Sequence, residues 1–150
     1  MIKKIIFLLI ICSLGSCGFE PVYVKKNEYQ LSIKEITLIG DKKINRSIIS
    51  FTNLKKINPT NGEYIVTITS EKRIEIVAKN KLGNASIYRT TIIVNLSLQN
   101  RDGDTKLKKF ETAFSYNNLP NKFDLAQYQK TIEKNLIDII SEEIIIYLNT

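Results

Sequence analysis

Histidine and tryptophan are absent from this chain of 150 residues, which has only two cysteines and one methionine. The lack of histidine excludes an imidazole acid or base and removes a ligand of the common zinc sites. No glycine-rich phosphate-binding motif occurs, and the acidic pair Glu142-Glu143 lies in a predicted helix, where adjacent residues do not face each other. We therefore expect no enzyme activity, no cofactor and no metal site, and a role in binding or scaffolding.

The first sixteen residues have the three parts of a secretory signal peptide. Two lysines supply the charged region, and residues 5–14 form an apolar stretch shorter than the roughly 20 residues needed to cross a membrane. The tripeptide before Cys17, Leu-Gly-Ser, resembles a lipobox, where a lipoprotein signal peptidase cleaves before a cysteine that carries diacylglycerol. This pattern predicts that residues 1–16 are removed and that Cys17 becomes the lipidated first residue of the mature chain.

The cysteine count supports lipidation of Cys17. Because Cys12 would leave with the signal peptide, Cys17 would be the only thiol in an oxidising compartment, where an unpaired cysteine needs an explanation. Lipidation of Cys17 provides that explanation, and it also means that this thiol is not available as a nucleophile. Two or three acyl chains would anchor the protein firmly to a membrane surface. The alternatives are an ordinary signal peptide with an incidental cysteine, or an uncleaved amphipathic anchor.

The length and charge of the mature chain suit one basic domain. Residues 17–28 lack periodicity and are predicted to be a tether, and residues 29–150 are long enough for one hydrophobic core without disulfides. The full chain has a net charge of +7 at pH 7. This excess of basic residues favours anionic partners, although frequent Ile, Lys and Asn would also follow from an AT-rich genome.

Alternating and helical apolar patterns predict six elements. They are a strand over residues 29–38, a helix capped by Asp41 and ending at Lys56, strands over 63–79, 85–99 and 106–116, and a closing helix of about 25 residues capped by Asp124. The second strand is expected to bulge near residues 71–73, and the even-numbered residues from Tyr88 to Leu98 are the predicted core face of the third. The order β-α-β-β-β-α predicts an α+β fold, with two helices packed on one face of a roughly four-stranded antiparallel or mixed sheet.

The start of the predicted mature chain has a recognisable motif. The sequence Cys17-Gly18-Phe19-Glu20-Pro21-Val22-Tyr23 resembles the mature N-terminus of lipopolysaccharide-assembly lipoproteins of the LptE family, which commonly reads Cys-Gly-Phe, one residue, Pro, an aliphatic residue and Tyr. The resemblance continues through the strand order, Tyr88-Arg89 and Ser115-Tyr116-Asn117, and so covers essentially the whole mature chain. The last helix departs from it, because relatives often have alanine and arginine after Tyr-Asn.

The resemblance implies a function in lipopolysaccharide assembly. An LptE-type lipoprotein associates with the LptD β-barrel, plugs its lumen, supports its assembly and helps lipopolysaccharide reach the outer leaflet. It also implies an anchor at the periplasmic side of the outer membrane, since Gly18 is not the aspartate that often retains lipoproteins at the inner membrane. Nucleic acid is not among the expected partners.

Basic residues on the predicted strands are candidate contacts with lipopolysaccharide phosphates or with the barrel, because Lys and Arg form charge-assisted hydrogen bonds with anions. They are Lys72, Arg73, Lys79, Lys81, Arg89 and Lys106. The alternative for each is a solvated strand residue that only discourages aggregation. Two other functions stay open, a free-standing periplasmic module that binds lipid or peptidoglycan, and a lipid-anchored hydrolase, which would need two converging carboxylates.

Overall fold

The computed structural model describes residues 31–56 and 62–149, so the predicted signal peptide, Cys17, the tether and Tyr29 lie outside the described residues. The elements are β1 (Ile33–Gly40), α1 (Lys42–Thr52), β2 (Tyr64–Lys79), β3 (Ala85–Gln99), β4 (Thr105–Asn117) and α2 (Lys122–Leu148). Their order, β-α-β-β-β-α, confirms the predicted α+β fold.

The four strands form one mixed sheet in the order β1-β2-β3-β4. β2, β3 and β4 are an antiparallel meander, whereas β1 pairs with β2 in parallel from Ile33 opposite Tyr64 to Gly40 opposite Ser70. The parallel pairing follows from the α1 connection, since two parallel strands need a crossover rather than a tight turn.

Both helices pack on one face of this sheet. The even-numbered residues Ile92, Val94, Leu96 and Leu98 of β3 are buried there, which confirms the core face predicted from their alternation. α2 contributes apolar residues at helical spacing, which are Ile132, Leu136, Ile140 and Ile144. Burial of each such side chain contributes about 1.5–3 kcal/mol to the stability of the folded state. Among the described residues, no helix combines the length and apolar character needed to cross a membrane.

The alternation of β1 changes phase within the strand. Ile33 is buried, whereas further along the core-facing positions are even-numbered, with Ile36 packed against the core. The pairing with β2 is irregular between Ile33 and Glu35, which shifts the strand by one residue. This irregularity explains why the apolar pattern in the sequence is less clean after Ile33.

Two predicted helix boundaries and the predicted position of the bulge in β2 were wrong. α1 ends at Thr52 and not at Lys56, because Asn53 adopts the left-handed conformation, which asparagine tolerates better than most residues. The irregularity of β2 lies at residues 76–79 rather than at residues 71–73. α2 begins at Lys122, two residues before Asp124, with Asn121 as its N-cap. The side chain of Asn121 accepts a hydrogen bond from the backbone N–H of Phe123 at 2.8 Å.

The junction between β1 and α1 is tied to β2 through Gly40 and Asp41. Gly40 has a φ of +89° and lies against the backbone of Ser70. The backbone N–H of Asp41 donates to the carbonyl of Ser70 at 3.2 Å, and the Ser70 hydroxyl donates to the carbonyl of Asp41 at 3.2 Å. The predicted cap is also present, because Oδ1 of Asp41 accepts from the backbone N–H groups of Lys43 and Ile44. These bonds fix the point at which β1 ends.

Asp41→Ala is expected to lower the free energy of unfolding by about 1 kcal/mol, because two N–H groups of the first turn of α1 lose their acceptor. Urea unfolding followed by circular dichroism measures the loss. Asp41→Asn keeps a capping oxygen and is the matched control, so an equal loss in both variants would contradict a capping role.

Candidate functional site

Two of the six predicted contact residues, Lys72 and Arg73, are already paired within the domain. Lys72 points to the helix-covered face, where its ammonium lies 2.7 Å from Oε2 of Glu133. Arg73 points to the open face and makes two hydrogen bonds to the carboxylate of Glu71, at 2.7 and 2.9 Å. Neighbours on a strand point to opposite faces, so these two residues belong to different surfaces.

The other four predicted contact residues lie towards the two ends of the sheet. Lys79 and Lys81 lie at the end that carries the β2–β3 turn. Arg89 lies further along β3, opposite Glu75, and its Nε donates to the hydroxyl of Ser115 at 3.1 Å. Lys106 lies at the opposite end, beside a cavity of about 330 Å³. The structure therefore does not gather the six residues into one cluster.

Glu133 is a buried charge that the sequence analysis did not single out. Its side chain is 9% exposed, and its carboxylate lies 2.6 Å from the ammonium of Lys43 and 2.7 Å from that of Lys72. Burial raises the pKa of Glu133, but the hydrogen bonds and charges of the two lysines outweigh burial, so its net pKa is lowered. One ionised carboxylate thus joins α1, β2 and α2. The sequence did contain a signal for this burial, because Glu133 lies four residues before the buried Ile137 and so on the same face of the helix.

Three tyrosines attach the start of α2 to the β2–β3 end of the sheet. The ring of Tyr116 lies 5.9 Å from that of Tyr88 and 5.8 Å from that of Tyr128, measured between centroids. Its hydroxyl accepts a hydrogen bond from the amide of Gln129 at 2.9 Å and lies 3.1 Å from the hydroxyl of Thr90. Tyr88 and Tyr116, which carry part of the family resemblance, therefore pack together across β3 and β4.

A groove of about 840 Å³ separates α1 from α2 at the surface. Its cationic lining includes Arg46, Lys130 and Lys134, which form no ion pair within the described part of the chain. Cations on two neighbouring helices can bind an anionic group through charge-assisted hydrogen bonds. The sequence analysis missed this groove because it joins residues from two helices that are distant in the chain.

The face of the sheet opposite the helices is broad and mostly hydrophilic, although Ile39 and Leu107 are exposed on it. Short polar side chains cover much of it, including Thr67, Thr69, Thr91, Asn95 and Ser97. Charged residues flank Ile93, which is only 7% exposed and lies in register between Glu71 and Glu111. No described helix covers this face, so it is free to meet a polar surface.

Comparisons with known proteins identify the fold but not a sequence family. No family model and no curated protein matches this sequence. Among solved structures, the chain is similar to rare lipoprotein B from Shewanella oneidensis, with a TM-score of 0.62 and 14% identity over 77% of this chain and 93% of that one. A minor lipoprotein from Acinetobacter baumannii matches with a TM-score of 0.59 and 14% identity, over 79% and 90% of the two chains. Lipoprotein B from Nitrosomonas europaea matches with a TM-score of 0.60 and 14% identity, over 77% and 80%. The chain thus has the fold of these bacterial lipoproteins.

Proposed function

We propose that this chain is an outer-membrane lipoprotein of the LptE type, which binds an LptD-type β-barrel, plugs its lumen and assists lipopolysaccharide assembly. The observation that carries the proposal is the fold, which matches rare lipoprotein B over 77% of this chain. The Cys17-Gly18-Phe19 start adds an anchor and a resemblance to the LptE family. Lipidation would place the domain on the periplasmic side of the outer membrane.

The open sheet face supports a role as a plug. The lumen of an outer-membrane barrel is polar, so a protein that fills it needs hydrophilic surfaces. Thr67, Thr91 and Ser97 belong to such a surface, which no described helix covers.

The basic end of the sheet supports contact with an anionic lipid. Lys79 and Lys81 lie at the β2–β3 turn, with Arg89 further along β3, and such cations can meet phosphate groups of lipopolysaccharide. Lys72 is a weaker candidate than the sequence indicates, because its ammonium is committed to Glu133.

Binding without catalysis is part of the proposal. The groove between the helices contains two carboxylates, Glu133 and Asp138. Glu133 is held in its ionised form by Lys43 and Lys72, so it is a poor proton donor at neutral pH.

Affinity purification of the full chain from its own envelope tests the function. A chain with a C-terminal tag, extracted in detergent, is expected to bring down a large β-barrel protein in a 1:1 ratio. Mass measurement of the purified chain is expected to show loss of residues 1–16 and a diacylglycerol-bearing Cys17. Cys17→Ser is the control for the lipid. The proposal is to be abandoned if no large barrel protein accompanies the wild-type chain.

The second candidate is a free-standing periplasmic module that binds lipid or peptidoglycan. The groove that contains Arg46, Lys130 and Lys134 favours it, because anionic ligands fit its unpaired cations. This candidate predicts that the purified chain is a monomer without a barrel.

A further inference from the structure

The sheet has an incomplete edge beside β2. β1 ends at Gly40, opposite Ser70, whereas β2 continues to Lys79. Residues 71–79 pair with β3 on one side, and on the other side no strand in the described ranges pairs with them. We call residues 71–79 the free edge of β2. At about 3.3 Å per residue, it offers roughly 30 Å of strand.

Large apolar side chains are exposed along this free edge. The exposed fractions are 46% for Ile74, 51% for Ile76 and 47% for Val77. Leu38 and Ile39, at the end of β1, are exposed as well, and their side chains point to opposite faces of the sheet. An exposed, β-branched strand edge readily pairs with another strand, and proteins usually protect such edges.

Three of the five charged residues of the free edge are held in ion pairs within the domain, which leaves Glu75 and Lys79 to oppose an added strand. The ammonium of Lys72 is directed to Glu133 under the helices, and the guanidinium of Arg73 is held by Glu71. The stretch has no proline, and its irregular pairing affects only residues 76–79. The free edge is thus open to an added strand over most of its length.

A second copy of this chain fits the free edge poorly. Antiparallel pairing about Glu75 would use residues 71–79 of both copies but would set the two Glu75 carboxylates opposite each other, which is unfavourable. Pairing about Ile74 would instead set Arg73 opposite Glu75 of the other copy. The same register would put Lys79 of the other copy opposite Thr69, where Ile39 of β1 already pairs. An extended segment that ends before Gly40 avoids this clash.

We propose that an extended segment of the barrel partner adds to the free edge as a fifth strand, an inference that rests on the proposed function for the identity of the partner. Strand addition supplies affinity through backbone hydrogen bonds and specificity through alternate side chains. The added segment would place apolar residues beside Ile74 and Ile76. It would carry acidic residues near Lys79 and Lys81, because the turn from residue 79 to 84 has no acidic side chain to balance them.

The test uses the tagged full chain in its own envelope. In the double variant Ile74→Lys, Ile76→Lys, the amount of co-purified barrel is expected to fall about tenfold, because lysines on a strand edge oppose pairing. Ile146→Lys, at a position on α2 that is 64% exposed, is the matched control and is expected to leave that amount unchanged. Circular dichroism of each purified chain checks its folding. In the wild-type complex, amides within residues 71–79 are expected to exchange hydrogen more slowly than in the free chain.

The outcomes separate the two proposals. If the barrel accompanies the wild-type chain and the double variant equally, the strand-addition inference is wrong and the proposed function stands. Unchanged hydrogen exchange at residues 71–79 in the wild-type complex would also overturn the inference, whatever the variants do. If the wild-type chain brings down no barrel, both proposals fail.

Discussion

Gly40→Ala is expected to lower the free energy of unfolding by about 3–5 kcal/mol, which is a large part of the 5–15 kcal/mol typical of a domain. A Cβ at this position would lie 2.0 Å from the carbonyl oxygen of Ser70, and this neighbour is backbone, so it cannot move aside as a flexible side chain would. The φ of +89° adds strain for any residue with a side chain. Urea unfolding followed by circular dichroism, on a chain that starts at Gly18, measures the loss.

Gly83→Ala is the matched control for Gly40→Ala. Gly83 also has a positive φ, of +81°, but nothing lies within 4 Å of the position that its Cβ would take. Alanine there adds backbone strain alone, with an expected loss of about 1 kcal/mol. Equal losses at Gly40 and Gly83 would show that the close approach to Ser70 does not matter for stability.

Glu133→Gln is expected to reduce stability by about 2 kcal/mol at pH 7, because two charge-assisted hydrogen bonds lose their anion. The loss stays below that of a fully buried ion pair, since the side chains of Lys43 and Lys72 are 61% and 32% exposed and can be hydrated. Glu143→Gln, at an exposed position on the same helix, is the control and is expected to change stability by less than about 0.5 kcal/mol.

The effect of Glu133 depends on pH in a defined direction. Its pKa is lowered in the folded protein, so the stabilisation is fully present above the unfolded pKa of about 4.3 and is lost as the pH falls through the folded value. The wild-type and Glu133→Gln chains are therefore expected to converge in stability as the pH falls below about 4.3. A constant difference between them from pH 7 to pH 3 would contradict this role of the carboxylate.

Patterns within a single element were sufficient to predict most of the fold. The alternation in β3 identified its core face, and Asp41 identified the start of α1, because both depend on residues close together in the chain. The phase change at Ile33 was not predictable, since it depends on the register with β2. That Asn121, and not the predicted Asp124, caps α2 also depends on the backbone conformation.

The surfaces were less predictable than the elements. Lys72 and Lys43 meet Glu133 across 61 and 90 residues of sequence, and no local pattern reports such a contact. The assignment of Lys72 and Arg73 to opposite faces was available from strand geometry alone. The free edge of β2 could not be predicted in this way, because it depends on where β1 ends relative to β2.

The parallel pairing of β1 has a consequence for the order of folding. β2, β3 and β4 are joined by short turns, so their contacts can form soon after each strand is made, whereas Ile33 of β1 pairs with Tyr64 across α1. Contacts between distant residues form more slowly than local ones, because a longer loop has to close. We therefore expect β1, although it comes first among the described elements, to be the last strand to join the sheet.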